Sequence, residues 1–221
     1  MNTYTAMKVI TVFSIVSSVA PVSAKTVISP ELPSFDSVSL SGLGIVHIHK
    51  GPRRVTLTGN ESDLNRFETT VQNGCLNMGY RQAFCMNPFR GCKPIDIDIS
   101  MPELRSVTID GNGVIKTDAF DFDSFTVEIK GNADMETAGT ARSLILRCTG
   151  NVRYSGFALS AQNADVKVNG NAAVEISAEQ KITASVNGSG SIVYRGDPTV
   201  EKTIRGSGTI GKAGDRDGEH Q

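Results

Sequence analysis

The sequence predicts an all-β protein, a parallel β-helix (solenoid) with coils of ~18–20 residues. Apolar residues alternate with polar ones throughout the second half, and no helical periodicity runs through it. A glycine-centred word also recurs there in register. Its copies are VTIDGNGVI, VEIKGNADM, LRCTGNVRY, VKVNGNAAV, ASVNGSGSI and KTIRGSGTI.

The central glycine of each word predicts a structural turn that β-branched residues cannot make. These glycines are Gly111, Gly131, Gly150, Gly170, Gly188 and Gly206. The next residue is always polar, and we expect the asparagines at this position to stack from coil to coil as an amide ladder. The residues at this position are Asn112, Asn132, Asn151, Asn171, Ser189 and Ser207.

Three columns of apolar residues flank the glycines and predict the inward side of the strands. The first is Val107, Val127, Leu146, Val166 and Ala184. The second is Ile109, Ile129, Cys148, Val168, Val186 and Ile204. The third is Ile115, Met135, Tyr154, Val174, Ile192 and Ile210.

The N-terminal part begins with a variant of the same word, VSLSGLGIV, at residues 38–46. Residues 47–100 do not fit the repeat and are interpreted as an insertion of hairpins and a Cys loop at the first end. Asn73-Gly74 predicts a two-residue hairpin turn, and residues 62–67 predict one short helix. A single domain therefore spans residues 35–210, with a polar, disordered tail at residues 211–221.

The first 24 residues have the pattern of a signal peptide: Lys8, a short apolar run and the small residues Val22-Ser23-Ala24. The apolar run is too short to span a bilayer, and no Cys follows it for a lipid anchor. We expect an exported protein, periplasmic, cell-surface or secreted, with a linker at residues 25–34 and no transmembrane segment in the mature chain.

The net charge and the cysteines restrict the possible partners and covalent links of the protein. The 221 residues carry 22 basic and 23 acidic side chains, for a net charge of −1, which disfavours nucleic acid as a partner. Export favours disulfides, and the spacing of Cys85 and Cys92 predicts a local bridge. Cys148 is interpreted as a small buried hydrophobe, and the pairing of Cys75 and Cys148 is left open. A zinc site of the four cysteines is the disfavoured alternative.

Two short motifs have simpler explanations than their familiar functions. Arg195-Gly196-Asp197 spells a receptor-binding tripeptide, but Gly196 and Pro198 are what a turn between strands needs. GSGTIG at residues 206–211 matches a dinucleotide fingerprint without the helix that the fingerprint requires. We interpret both as parts of the repeat.

No catalytic motif is present, and the polar clusters suit solvated faces. His47 and His49 share one face of a strand and could bind a metal only with a third ligand. A salt-bridged column on successive coils is predicted for Glu128, Arg147 and Lys167. The solvent-facing side of a strand is predicted for Asp96 and Asp98.

Several stretches resemble the putative auto-transporter adhesin "head GIN domain" family of bacterial envelope proteins. They are FDSVSLSG at 35–42, MPEL at 101–104 leading to VTIDGNG, and above all GSGSIVYRGDPTVEKTIRGSGTI at 188–210. The resemblance implies a β-helical fold and an envelope or secreted location. It brings no catalytic residues, and the loop between Cys85 and Cys92 departs from the family pattern.

These observations predict a non-catalytic, adhesin-like binding protein that presents a stacked polar face and needs no cofactor or metal. The expected partner is an envelope or surface ligand, either glycan or protein, and self-association into a homo-oligomer is open. The alternatives are a β-helical polysaccharide-active enzyme and a structural or assembly protein of the envelope.

Overall fold

A computed structural model describes residues 26–81 and 93–214. Within these residues the protein is all-β, and its one helix is the short α1 (Glu61–Leu64). The strands are β1 (Thr26–Ile28), β2 (Ser37–Lys50), β3 (Arg54–Gly59), β4 (Phe67–Gln72), β5 (Cys75–Tyr80), β6 (Ile95–Met101), β7 (Ser106–Gly188), β8 (Ser191–Arg195), β9 (Thr199–Gly206) and β10 (Thr209–Lys212). β1 lies in the predicted linker, and β10 extends past the predicted domain end.

The strands form one mixed sheet, in which β1, β3, β6, β2, β7, β8 and β10 follow one another. The prediction was a parallel β-helix with hairpins at residues 47–100; the antiparallel pairing also includes β1, which lies outside that range. β1 pairs with β3, β3 with β6, and β4 with β5, all antiparallel. The antiparallel strands all lie before residue 102. Among these pairs only β4 and β5 are joined by a short connection, the two-residue turn at Asn73-Gly74, while β1 with β3 and β3 with β6 pair over long sequence separations.

The repeats of the second half lie beside one another in parallel and in register. Ser191 of β8 pairs with Ala173 of β7, and Thr209 of β10 pairs with Ser191. Gly206 of β9 likewise pairs with Gly188 of β7. Equivalent positions of successive sequence repeats are therefore hydrogen-bonded neighbours.

The predicted glycine turns have the backbone conformation that favours glycine. Gly170 has a φ of +114° and Gly188 a φ of +125°. The corners also contact each other closely, since a Cβ at Gly188 would lie 2.6 Å from the carbonyl oxygen of Gly170. The glycines are thus required both by conformation and by the space between repeats.

The three predicted apolar columns form the core, with one exception. Val107, Ile129, Leu146 and Val174 are examples of side chains that are at most 1% exposed. Tyr154 is fully buried, and its hydroxyl shares a hydrogen bond of 2.7 Å with Thr137 Oγ1. Ile204 is 41% exposed, contrary to prediction, because it lies in β9, which pairs with β7 on one side only.

The insertion between the first repeat and the regular repeats contains the predicted hairpin. β4 and β5 pair antiparallel around Asn73 and Gly74, whose φ angles are 52° and 75°. β5 and β6 then pair in parallel with successive halves of β2, whose opposite edge pairs with β7. The insertion therefore covers the first end of the repeat array.

Replacing Gly170 by Val is expected to destabilise the protein by at least ~2 kcal/mol, through left-handed strain and overlap with the backbone of the neighbouring repeat. The new Cβ would lie 2.8 Å from the Gly150 carbonyl oxygen. The free energy of unfolding, measured by chemical denaturation, tests this expectation.

Gly211→Val is the matched control. Gly211 has no positive φ, and a Cβ there would have no heavy atom within 4 Å. This variant is expected to retain the stability of the wild type. Equal stability of the Gly170 and Gly211 variants would contradict the role given to the glycine corner.

Candidate binding face

The asparagines after the glycine corners form a hydrogen-bonded ladder on the surface. Asn132 Nδ2 donates to Asn112 Oδ1 at 3.0 Å, Asn151 Nδ2 to Asn132 Oδ1 at 2.9 Å, and Asn171 Nδ2 to Asn151 Oδ1 at 3.5 Å. All four side chains are exposed. The predicted amide ladder is therefore present, and each of its bonds points in the same direction.

A shallow groove of about 400 Å³ runs beside the first three rungs of the ladder. It is lined by Leu43, Gly44, Ile45, Pro94, Asn112, Gly113, Val114, Asn132, Ala133, Asp134 and Asn151. Val114 is 46% exposed, which is unusual for a large apolar side chain in this protein. The groove therefore combines amide groups with exposed aliphatic surface.

Sequence reasoning did not identify the groove, although a signal for it exists. Ile45 and Val114 are neighbours on β2 and β7, and each stands at an outward position. The alternation of polar and apolar residues fails there, in Gly44-Ile45-Val46 and Gly113-Val114-Ile115. Later repeats have polar or small residues at the same position, for example Asp134 and Arg153.

His47 and His49 share the outward face of β2, as predicted, while Val46 and Ile48 are buried. Their rings are stacked, with centroids 6.4 Å apart. His49 lies between two carboxylates: its Nδ1 is 3.1 Å from Asp118 Oδ2 and its Nε2 is 3.2 Å from Asp98 Oδ2. The hydrogen bond with Asp118 raises the pKa of His49, Asp98 adds to this, and desolvation opposes it.

The two nitrogens of His49 bind carboxylates on opposite sides of the ring, so these groups do not converge on one point. Across residues 26–81 and 93–214, no group of three or more His, Cys, Asp or Glu side chains could hold a metal ion. The histidines are best described as part of a solvated, charged face.

Both charged side chains of the Arg195-Gly196-Asp197 tripeptide have partners within the chain. The Arg195 guanidinium lies 3.9 Å from the centroid of the Phe157 ring. Asp197 Oδ1 accepts a hydrogen bond from Lys212 Nζ at 2.5 Å. Gly196 has a φ of +100°, and a side chain there would overlap the Ala178 carbonyl oxygen. The geometry supports the interpretation of this segment as a turn.

The predicted salt-bridged column of Glu128, Arg147 and Lys167 is organised differently. Glu128 pairs with Lys130 at 2.7 Å, and Arg147 pairs with Asp165 at 2.8 Å. Charged side chains therefore find partners along their own strand or elsewhere on the neighbouring repeat. The prediction for β6 was correct, since Asp98 is exposed and Asp96 half-buried while the intervening isoleucines are buried.

Cys148 is a buried free thiol, and burial raises its pKa to about 12. This confirms its interpretation as a small core residue. Cys75 is half-buried and also free. The predicted bridge between Cys85 and Cys92 lies outside the described residues and stays a prediction.

A family model described as "Putative auto-transporter adhesin, head GIN domain" matches residues 34–198. The chain belongs to this family. The match covers the first repeat, the insertion and the regular repeats through the tripeptide, so the resemblance seen in the sequence is confirmed. The family description gives an adhesin as the expected class of protein and contains nothing that shows catalysis.

Solved structures resemble this head GIN domain at low sequence identity. A "putative adhesin" from Bacteroides fragilis is 19% identical, with a TM-score of 0.71 over 88% of this chain and 100% of that chain. A "putative adhesin" from Parabacteroides merdae is 14% identical, with a TM-score of 0.48 over 86% and 96%. A "putative lipid binding protein" from Parabacteroides distasonis is 18% identical, with a TM-score of 0.47 over the same shares. At 19% identity, the likeness to the Bacteroides fragilis protein concerns the fold only.

No curated protein matches the chain. In the part of the head GIN domain that the structure describes, no helix is long and apolar enough to cross a membrane.

Asp118→Asn is expected to lower the pKa of His49, because it replaces the hydrogen-bonded carboxylate by a neutral amide. The wild-type folded pKa is raised, so the ion pair stabilises the protein fully below the unfolded pKa of about 6.5. This stabilisation is lost as the pH rises through the folded pKa. NMR titration of the His49 ring measures the shift directly.

Asp121→Asn serves as the control, because Asp121 pairs with Lys50 rather than with His49. The His49 pKa should be the same in this variant as in the wild type. A His49 pKa that does not change in Asp118→Asn would show that the carboxylate contact does not form in solution.

Asp197→Glu is expected to leave both the melting temperature and attachment to integrin-bearing cells unchanged. The Asp197 side chain is 92% exposed, and an exposed ion pair contributes little to stability. Thermal unfolding and a cell-attachment assay test the two parts. Specific attachment by the wild type that disappears in Asp197→Glu, with stability intact, would restore the tripeptide as a functional site.

Proposed function

We propose that this head GIN domain is an exported, non-catalytic binding protein of the bacterial envelope or cell surface. Its repeats wind as a parallel β-helix, and the outward face that bears the asparagine ladder contacts the partner. The predicted signal peptide at residues 1–24 and the family description support export and adhesion.

The winding is supported by the register of the repeats. Equivalent residues are parallel neighbours one repeat apart, as for Ser191 with Ala173 and for Gly206 with Gly188. The glycine corners also lie against each other from Gly42 to Gly206. In a β-helix this arrangement places each outward residue next to the equivalent residues of the adjacent coils.

The asparagine ladder is the observation that carries the proposal. Four exposed amides occupy one outward column and are fixed to one another by hydrogen bonds of 2.9–3.5 Å. Asn is uncommon in β-strands, and these outward amides make no contribution to the packing of the buried columns. Their presence in one column therefore calls for an explanation other than folding. A row of oriented donors and acceptors on a rigid sheet is suited to binding a hydrogen-bonding polymer.

The polysaccharide-active enzyme is a weaker candidate. Such an enzyme needs an acid and a base that converge on one bond, one of them with a shifted pKa. Asp98 and Asp118 both contact His49, at opposite nitrogens of its ring, and do not converge on one point. Other charged groups form exposed pairs, such as Lys116 with Glu136 at 2.7 Å.

The assembly protein is also less well supported. Within the described residues, β9 pairs on one edge only, with β7, and an unprotected edge could pair with a second copy. Lys202, however, stands in the inward column of this strand and is exposed. A charge at an inward position of an edge strand disfavours edge-to-edge pairing.

The test measures saturable binding of the labelled protein to bacterial envelope fragments and to animal cell surfaces. Asn151→Leu removes two ladder bonds while preserving side-chain size. We expect it to weaken binding at least tenfold, with no release of new reducing ends from envelope polysaccharides.

Asn169→Leu provides the matched control. Asn169 directly precedes the corner glycine Gly170, is exposed, and lies outside the ladder. This variant should bind like the wild type. Absence of wild-type binding to every surface, or new reducing ends in its presence, would overturn the proposed function.

A further inference from the structure

The groove beside the ladder lies where the ladder ends. Asn132 donates to Asn112, and the bonds from Asn151 and Asn171 run in the same direction. The position before Asn112 in the column is Leu43, which has no amide. In the described part of the chain the Asn112 Nδ2 group has no acceptor, so it is the open donor end of a series of three side-chain hydrogen bonds. Hydrogen bonds in series polarise one another, which makes this amide a stronger donor than an isolated one.

Aliphatic surface lies directly beside this donor. Leu43 and Ile45 are half-buried on β2, and Val114 on β7 is 46% exposed. Exposed apolar side chains that cluster next to oriented polar groups are typical of ligand sites. The groove volume of about 400 Å³ lies within the range of small-ligand sites.

The groove is close to electrically neutral. Within the described part of the chain, Asp134 is its one charged lining residue. Arg153 Nε lies 3.7 Å from Asp134 Oδ1 and balances that charge. A strongly anionic or cationic ligand would find no counter-charge here, so the lining matches an uncharged ligand.

The backbone around the groove excludes the usual way of binding an extended peptide, which is the addition of a strand to a sheet edge. Residues 44–50 of β2 pair with β6 on one side, and residues 37–48 pair with β7 on the other. Pro94, at the border of the groove, has no backbone N–H to offer. Recognition there must rely on side-chain amides and aliphatic contacts.

Those two kinds of contact match the two surfaces of a sugar ring, its hydroxyl groups and its C–H face. The rungs of the ladder are spaced by one inter-strand distance, roughly 4.8 Å. This is close to the length of one sugar unit in an extended polysaccharide. Successive units can therefore meet successive amides.

We propose that the groove binds one unit of a neutral polysaccharide, whose chain continues along the asparagine ladder. The C–H face of this unit packs on Leu43, Ile45 and Val114, and Asn112 Nδ2 donates to one of its oxygens. This inference rests on the proposed function and specifies its ligand class and location.

The test measures dissociation constants for neutral β-glucans, mannans and galactans by affinity electrophoresis, with alginate as an anionic comparison and a random peptide library as the protein comparison. Val114→Arg places a long charged side chain in the groove at an exposed position. We expect it to weaken the binding of the recognised neutral polysaccharide at least tenfold.

Asn112→Ala and Asn171→Ala form a matched pair, since each removes one ladder bond but only Asn112 lines the groove. The first should weaken polysaccharide binding about tenfold and the second only about threefold, because Asn171 contacts the continuing chain whereas Asn112 contacts the unit held in the groove. Equal melting temperatures establish that the comparison concerns binding rather than folding.

Three outcomes overturn the inference and leave the proposed function intact. The first is unchanged polysaccharide binding by Val114→Arg, and the second is an equal loss of affinity in the two asparagine variants. The third is a wild-type protein that binds surfaces but prefers alginate or peptides to every neutral polysaccharide. Failure of the wild type to bind any surface or polysaccharide would overturn both proposals.

Discussion

The close backbone contact between successive glycine corners is the constraint on which the rest of the structure depends. A Cβ at Gly111 would lie 2.6 Å from the carbonyl oxygen of Gly42, and a Cβ at Gly206 would lie 2.5 Å from that of Gly188. A side chain at one corner would therefore move its repeat away from the one before it. Because each repeat pairs with two others, the displacement would disturb hydrogen bonds on both sides.

This contact also fixes the register of everything that the strands carry. Inward side chains stack on their equivalents, so Val107, Val127 and Val166 form one buried column. Outward side chains are aligned in the same way, which brings the ladder amides within hydrogen-bond distance. The pairs Lys116 with Glu136 and Lys181 with Glu201 connect adjacent repeats for the same reason.

Features that depend on the repeat itself could be predicted from the sequence. The glycine corners, the amide ladder, the buried Cys148 and the Asn73-Gly74 hairpin follow from local chemistry repeated in register. The antiparallel pairing of β3 with β6 could not be predicted, because the strands are far apart in sequence and no repeat aligns them. The groove was not predicted, although Ile45 and Val114 hold the same position in aligned repeats, because single exposed apolar residues are common on protein surfaces.

The candidate face has a physical advantage as a binding surface, because its side chains are already ordered by the backbone beneath them. An exposed hydrogen bond between two side-chain amides contributes at most about 1 kcal/mol to stability. The ladder therefore adds little to the stability that the buried core provides. Its main effect is to hold each amide in one orientation. Fewer rotamers are then lost on binding, and more of the interaction energy remains as affinity. Because all the ladder hydrogen bonds point in the same direction, the donor end at Asn112 lies beside Leu43 and Val114. Hydrogen bonding and aliphatic contact are therefore combined at that end of the face.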